Sequence, residues 1–189
     1  WHPQALQRAY SKLPKKIKEN WMWWKLPKAS ERKKDFADLI ESNPSGVDWH
    51  SPTQTRRILN MMTDINKKKV ATAKKLGKKT VGCIYKRMRP NESGKKNIQR
   101  AEVRFEKLAG CLRTPTGGAS RQLILVVQGK RVRSRLISSR ETARLMGLPE
   151  AYRLPENYYD AYHLTGDGVV VPVVRHLARK LLEPIIRNG

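Results

Sequence analysis

In RLISSRETARLMGLPE, residues 135–150, apolar side chains recur at helical spacing and the helix ends on a Gly-x-Pro stop. Ser138 or Ser139 offers a capping hydroxyl, and Glu141 falls in the first turn, where the helix dipole favours an acid. The pattern predicts a short helix from about Ser138 to Met146. Just upstream, RQLILVVQGKRVRSRLI (121–137) predicts a β-hairpin turning near Gln128-Gly129-Lys130. Its first strand is uniformly apolar and its second is studded with arginine.

Working outward toward the N-terminus, TVGCIYKRMR (80–89) and RAEVRF (100–105) read as strands, joined by the polar loop PNESGKKN (90–97). LAGCLRTPTGGAS (108–120) mixes an apolar stretch with a glycine-rich turn. Before Thr80 the pattern is helical. Residues 3–19 carry Leu6, Tyr10, Leu13 and Ile17 on one face. NWMWWKLPKAS (20–30) is an aromatic cluster whose Asn20, Trp21, Trp23 and Trp24 either pack between helices or stack on bases. Ser30 would cap an amphipathic helix carrying Phe36, Leu39 and Ile40, and NPSG (43–46) would turn the chain. Ser51-Pro52 starts another helix, with Ile58, Leu59, Met62 and Ile65 inward, which runs into the lysine-rich NKKKVATAKKLGKK (66–79). At the other end, Val170, Val173, Val174, Leu177, Leu181 and Leu182 mark a closing amphipathic helix.

Forty Lys and Arg against sixteen Asp and Glu give a formal charge of +24 over 189 residues. Such a surface calls for a polyanion, nucleic acid first, and charge alone does not separate DNA from RNA. No apolar run reaches the roughly 18 residues of a membrane span. Cys83 and Cys111 make neither a metal spacing nor a disulfide framework, and both read as strand residues. A cytoplasmic, nucleoid-associated setting is expected. The four histidines show no metal spacing, and TPTGG lacks the Lys-Ser/Thr ending of a phosphate loop. Glu102, Glu106, Glu141 and Glu150 do not pair as acid and base. The residues alone describe a nucleic-acid-binding domain without a catalytic constellation.

The order of segments adds a resemblance. RSRLISSRETARLMGLPEAY (133–152) resembles the ninth motif of DNA cytosine-5 methyltransferases, through Arg135, Leu136, Ser138, Arg140, Glu141, Ala143, Arg144, Leu145, Met146, Gly147 and Pro149. AYHLTGDGVVVPVVRHLARKLLEPI (161–185) is similar to the tenth motif, with Asp167 where the family usually has Asn. LAGCLRTPTGG (108–118) looks like the segment that ends the target-recognition region. The family's cofactor loop, Pro-Cys nucleophile, Glu-Asn-Val acid and Arg-x-Arg are absent.

The resemblance implies the C-terminal half of such an enzyme, one subunit of a split enzyme or one segment of a longer protein, with restriction-modification or phage defence as its setting. Its fold class would be α+β: a basic helical lead-in over 1–80, a β-rich recognition core over 81–134, and helices over 135–189 that complete a Rossmann-like domain held on another chain or segment. Arg87, Arg89, Gln99, Arg100, Arg104, Arg113, Thr114 and Thr116 would touch double-stranded DNA. Thr165, Gly166, Asp167, Gly168 and Val169 would wall the pocket of S-adenosylmethionine, bound mainly by the missing half. Arg135, Arg140, Glu141, Arg144, Gly147 and Pro149 would carry the structural motif. No catalytic residue and no metal site is expected here, so the chain alone should be inactive, with the first eight motifs on a partner polypeptide or segment. The alternative is a non-catalytic, sequence-specific DNA-binding module.

Overall fold

A computed structural model describes residues 2–91, 93, 94, 96–114 and 121–188. Among them, β1 (Thr80–Pro90), β2 (Asn97–Arg104), β3 (Leu123–Gln128) and β4 (Arg131–Leu136) form an antiparallel sheet in the order β2-β1-β3-β4. The helices are α1 (Gln4–Ser11), α2 (Lys15–Glu19), α3 (Pro52–Asn60), α4 (Asp64–Lys75), α5 (Ser139–Leu145), α6 (Tyr158–Asp167), α7 (Val171–Leu177) and α8 (Glu183–Asn188). The fold class is α+β, as expected.

The uniformly apolar run of β3 is explained by burial on both faces. Leu123, Leu125 and Val127 enter a core with Ile58, Met62, Val70 and Ala73 of the α3–α4 region. Ile124 and Val126 enter a second core with Phe36, Ile40, Cys83, Ile137 and Tyr162. The β3–β4 hairpin pairs Gln128 with Arg131 across Gly129-Lys130, and Gly129 has φ +54°. A positive φ at the first turn position alone is the type II′ requirement, which glycine meets without strain.

β2 is an edge strand, and two of its outward amides are taken up. The amide of Ala101 donates to the Met61 carbonyl at 3.0 Å, and that of Val103 donates to Asn66 Oδ1 at 3.0 Å. Such cover keeps an edge from pairing with another chain. β3 pairs with β1 only from Thr80 to Ile84, so beyond Tyr85 the strands β1 and β2 continue as a two-stranded ribbon. Lys86 to Pro90 are all exposed along it.

Several local expectations need correction. The helix over 3–19 is two helices, broken at Pro14, whose ring and missing N–H cannot sit inside a helix. The helix expected after Ser30 is only a 3-10 turn, Phe36–Leu39, capped by Asp35 in a reciprocal box with Asp38. Phe36 and Ile40 are buried as expected, but the Phe36 amide donates to Lys107 O, a tertiary bond that outcompetes a longer helix. The helical region from Ser51 breaks at Met61–Thr63, which turns Ile65 outward to 70% exposure. Cys83 is a buried strand residue, whereas Cys111 is exposed and lies outside any strand. α6 was not foreseen. The closing helix changes to π geometry over Ala178–Leu182.

The chain divides into two compact units, residues 32–171, and residues 1–31 with 172–189. The first holds the sheet and its covering helices. In the second, Tyr10 lies 5.5 Å from the Trp21 ring and 5.0 Å from the Trp23 ring, and Trp23 stacks 4.4 Å from His2. These rings therefore pack on α1, while Trp24 is 42% exposed.

At the β4 edge, Ser134 Oγ joins His50 Nδ1 at 2.9 Å and Thr55 Oγ1 at 3.0 Å. Burial, then the charge of Lys86, holds the His50 imidazole below its usual range. The neutral ring is therefore favoured in the fold, and the unfolded chain takes up the proton first as pH falls. Stability associated with His50 is present above about pH 6.5, the unperturbed value, and is lost below it. The urea midpoint should fall between pH 7.5 and pH 5.5, and His50→Gln should flatten that fall. An equal fall in both proteins would contradict the assignment.

Candidate nucleic-acid interface

The strand-to-helix joint after β4 is built on a buried ion pair. Arg135 and Glu141 are both fully buried. Arg135 Nη2 donates to Glu141 Oε1 at 2.6 Å, and Nη1 donates to Oε2 at 2.7 Å, a fork-to-fork pair. The carboxylate also accepts the Ser138 amide at 2.8 Å and the Glu41 amide at 2.6 Å. The guanidinium donates to Leu136 O and to Glu41 O, and lies 4.8 Å from the Trp49 ring. Ser138, not Ser139, caps α5, with Glu141 closing the box.

The remaining motif residues extend this network. Arg144 pairs with Glu150 at 2.7 Å and with Glu41 at 3.2 Å. Its hydrogen bond to Glu150 raises the already high guanidinium pKa and lowers that of the carboxyl. Ser138 Oγ donates to Glu41 Oε2 at 3.0 Å. Gly147 has φ +74°, its amide donates to Arg144 O, and the Leu148 amide donates to Ala143 O. That is a Schellman ending, which favours glycine because an L side chain is strained there. Arg140 donates to Tyr152 O at 2.9 Å, and the Pro149 carbonyl accepts from the Tyr152 amide.

The ribbon places the candidate arginines by its register. Arg87 stands opposite Arg100, Arg89 opposite Ile98, and Gln99 opposite Met88. Strand alternation puts Arg87, Arg89 and Arg100 on one face and Gln99 on the other. Tyr85 shares the arginine face, with the guanidinium of Arg87 at 5.6 Å and that of Arg104 at 5.5 Å from its ring. Glu102, set aside in the sequence, lies among them and binds Arg89 at 2.6 Å. Arg113 and Thr114 lie instead against α6: a Cβ on Gly166 would come within 3.2 Å of the Thr114 amide nitrogen. Thr116 lies outside the described residues.

Around the end of α6, a cleft of about 230 Å³ is lined by Met146, Leu148, Tyr152, Leu164, Thr165, Gly168, Val169 and Val171. Thr165 is 1% exposed and bonds Thr142 Oγ1 at 2.9 Å, pinning α6 to α5. Gly166 admits the 113–114 backbone, while Asp167, Gly168 and Val169 are exposed. Tyr162 was missed from sequence. It is buried, and its hydroxyl accepts the Gln122 amide at 2.9 Å. The i, i+4 pair Tyr158 and Tyr162 was the available signal. Among the described residues no cluster of His, Cys, Asp or Glu could hold a metal ion, and no helix is long and apolar enough to cross a membrane.

Removing one member of a buried ion pair strands the other charge, at a cost of about 3–5 kcal/mol. Glu141→Ala should lower unfolding free energy by about that much in urea. Replacing both partners, Arg135→Met with Glu141→Leu, should recover only part of it, because the Ser138 and Glu41 amides and the Leu136 and Glu41 carbonyls then lose their partners. A single-variant loss under about 1 kcal/mol, the level of a surface pair, would refute the central role.

Comparison with known proteins places the chain in a family. The C-5 cytosine-specific DNA methylase family matches residues 3–183. The Type II methyltransferase M1.ScrFI of Lactococcus lactis subsp. cremoris is 37% identical over 64 residues, covering 34% of this chain and 16% of that protein. The match thus spans a small part of that relative's length. No solved structure matches the chain. With residues 3–183 matched, the chain belongs to the C-5 cytosine-specific DNA methylase family.

Proposed function

We propose that this chain is the DNA-recognition and pocket-completing part of a DNA (cytosine-5-)-methyltransferase. The observation that carries the reading is the family match over residues 3–183, together with an arginine-bearing ribbon that grows from the sheet whose last strand leads into α5. The reaction moves a methyl group to C5 of a cytosine in duplex DNA. The base must leave the stack, since its ring atoms are not accessible to the enzyme inside the helix. A cysteine thiolate would add at C6 with a glutamate assisting at N3. C5 would take the methyl and then lose its proton to a base, and the thiolate would be eliminated from C6. The cysteine and the glutamate would lie outside these 189 residues, on the segment or partner that carries the first eight motifs and the rest of the Rossmann-like domain.

The chain's own residues would do three things. Arg87, Arg89, Gln99, Arg100, Arg104, Arg113 and Thr114 would read the major groove, where a guanidinium fork matches guanine. Lys67, Lys68, Lys74 and Lys75 of α4, all exposed, would hold phosphates and make affinity strongly salt-dependent. The α6 cleft would form a wall of the cofactor pocket. S-adenosylmethionine, when bound, supplies the methyl group. The fit of this wall is partial. Its apolar lining suits a purine face, but the Thr165 hydroxyl is spent on Thr142, which leaves Asp167, Gly168 and Val169 for contact.

Arg113→Ala and Arg104→Ala should reduce methylation of the cognate site by about tenfold or more, and reduce binding to random duplex far less. Equal losses on both DNAs would remove these residues from the reading set. Val173, Val174, Leu177, Leu182, Ile185 and Ile186 are 37–80% exposed, an apolar stripe that the proposed catalytic segment would cover. The purified 189-residue chain should bind a low-polarity dye and lose that signal with the complementary segment. A soluble monomer without dye response would contradict this docking.

A further inference from the structure

The arginine face of the ribbon contains an acid, Glu102, that a surface built only to hold phosphate would not carry. Arg87 stands directly opposite Arg100, and like charges at that spacing repel. Glu102 sits at the root of this face with its side chain 27% exposed. Its Oε1 accepts from Arg89 Nε at 2.8 Å and from Nη2 at 2.6 Å, and Oε2 lies 3.8 Å from Arg87 Nε. A cavity of about 380 Å³ opens beside the pair, lined by Thr63, Asn66, Arg89, Arg100 and Glu102 among others. A carboxylate here opposes phosphate binding. A pair this exposed also adds little stability.

We infer that Glu102 is a positioning residue for base discrimination. This rests on the reading of the ribbon as a DNA-recognition element. Glu102 occupies the Nε–Nη2 edge of Arg89 and fixes the plane of its guanidinium. The Nη1–Nη2 edge then faces outward in one orientation, the fork that pairs bidentately with guanine O6 and N7. The same carboxylate draws Arg87 and Arg89 away from nonspecific phosphate contact. Discrimination is gained at the expense of affinity.

The test uses the full chain, a pool of random-sequence duplex with sequencing of the bound fraction, and anisotropy on unselected duplex at several salt concentrations. Glu102→Gln, which keeps size and removes charge, should bind unselected duplex about five- to tenfold more tightly near 0.1 M salt, with a log–log salt slope steeper by about one. Its base enrichment should fall about tenfold. Arg89→Lys keeps the charge without the fork, so affinity for unselected duplex should stay within about twofold while the same enrichment is lost. Enrichment retained by Glu102→Gln would overturn the inference, as would loss of affinity in parallel with a lowered thermal midpoint, the mark of a merely structural role. A wild-type chain that binds duplex without any base enrichment would overturn the recognition reading itself, and this inference with it.

Discussion

The Arg135–Glu141 pair is the interaction on which the rest of the structure depends. Its two charges lie out of water, and that is tolerable only because nearly every polar atom is spent. The carboxylate takes both guanidinium arms and two backbone amides, one from the α5 cap and one from Glu41. The last strand, the helix after it and a loop nearly a hundred residues earlier are thereby held in one geometry. Because the two faces of β3 are filled by separate cores, movement at this joint would disturb both.

The ribbon grows from this rigid base. Strands β1 and β2 leave the packed sheet at about Tyr85 and carry cations away from it, on a base that cannot shift register without exposing Ala101 and Val103. The other cations are distributed differently. The α4 lysines form a broad exposed surface suited to phosphate, whereas the ribbon arginines are few, opposed across strands and tied to an acid. In the proposed reading the first arrangement would provide grip and the second would serve discrimination.

What the sequence disclosed was local. The RQLILVVQGKRVRSRLI hairpin, the Ser51-Pro52 start and the α5 cap all rest on contacts within a few residues, and all were legible. What it concealed was tertiary. The Arg135–Glu141 pair spans a strand-to-helix joint at a separation of six, which no helix or strand period marks. The helix expected after Ser30 lost to a hydrogen bond that the Phe36 amide donates to the Lys107 carbonyl, far along the chain. α6 carries no strong periodic signal of its own, and Gly166 near its end is the point where the 113–114 backbone comes close. Of the candidate contacts, Arg87, Arg89 and Arg100 share one face, Gln99 falls on the other, and Arg113 and Thr114 lie against α6. Glu102 was passed over as a failed acid–base partner because its cross-strand neighbours are invisible without the register.

In the proposed reading this chain acts only together with the catalytic motifs that lie outside these 189 residues. The most direct measurement is the mass of the protein purified from its native source, together with its ability to methylate cytosine C5 in duplex DNA. The account predicts an active particle well above 21.8 kDa, the mass of these residues, containing a Pro-Cys nucleophile and a cofactor loop on a longer chain or a second polypeptide. A lone 21.8 kDa species, whether it methylates DNA unaided or binds it without ever meeting a catalytic segment, would contradict it.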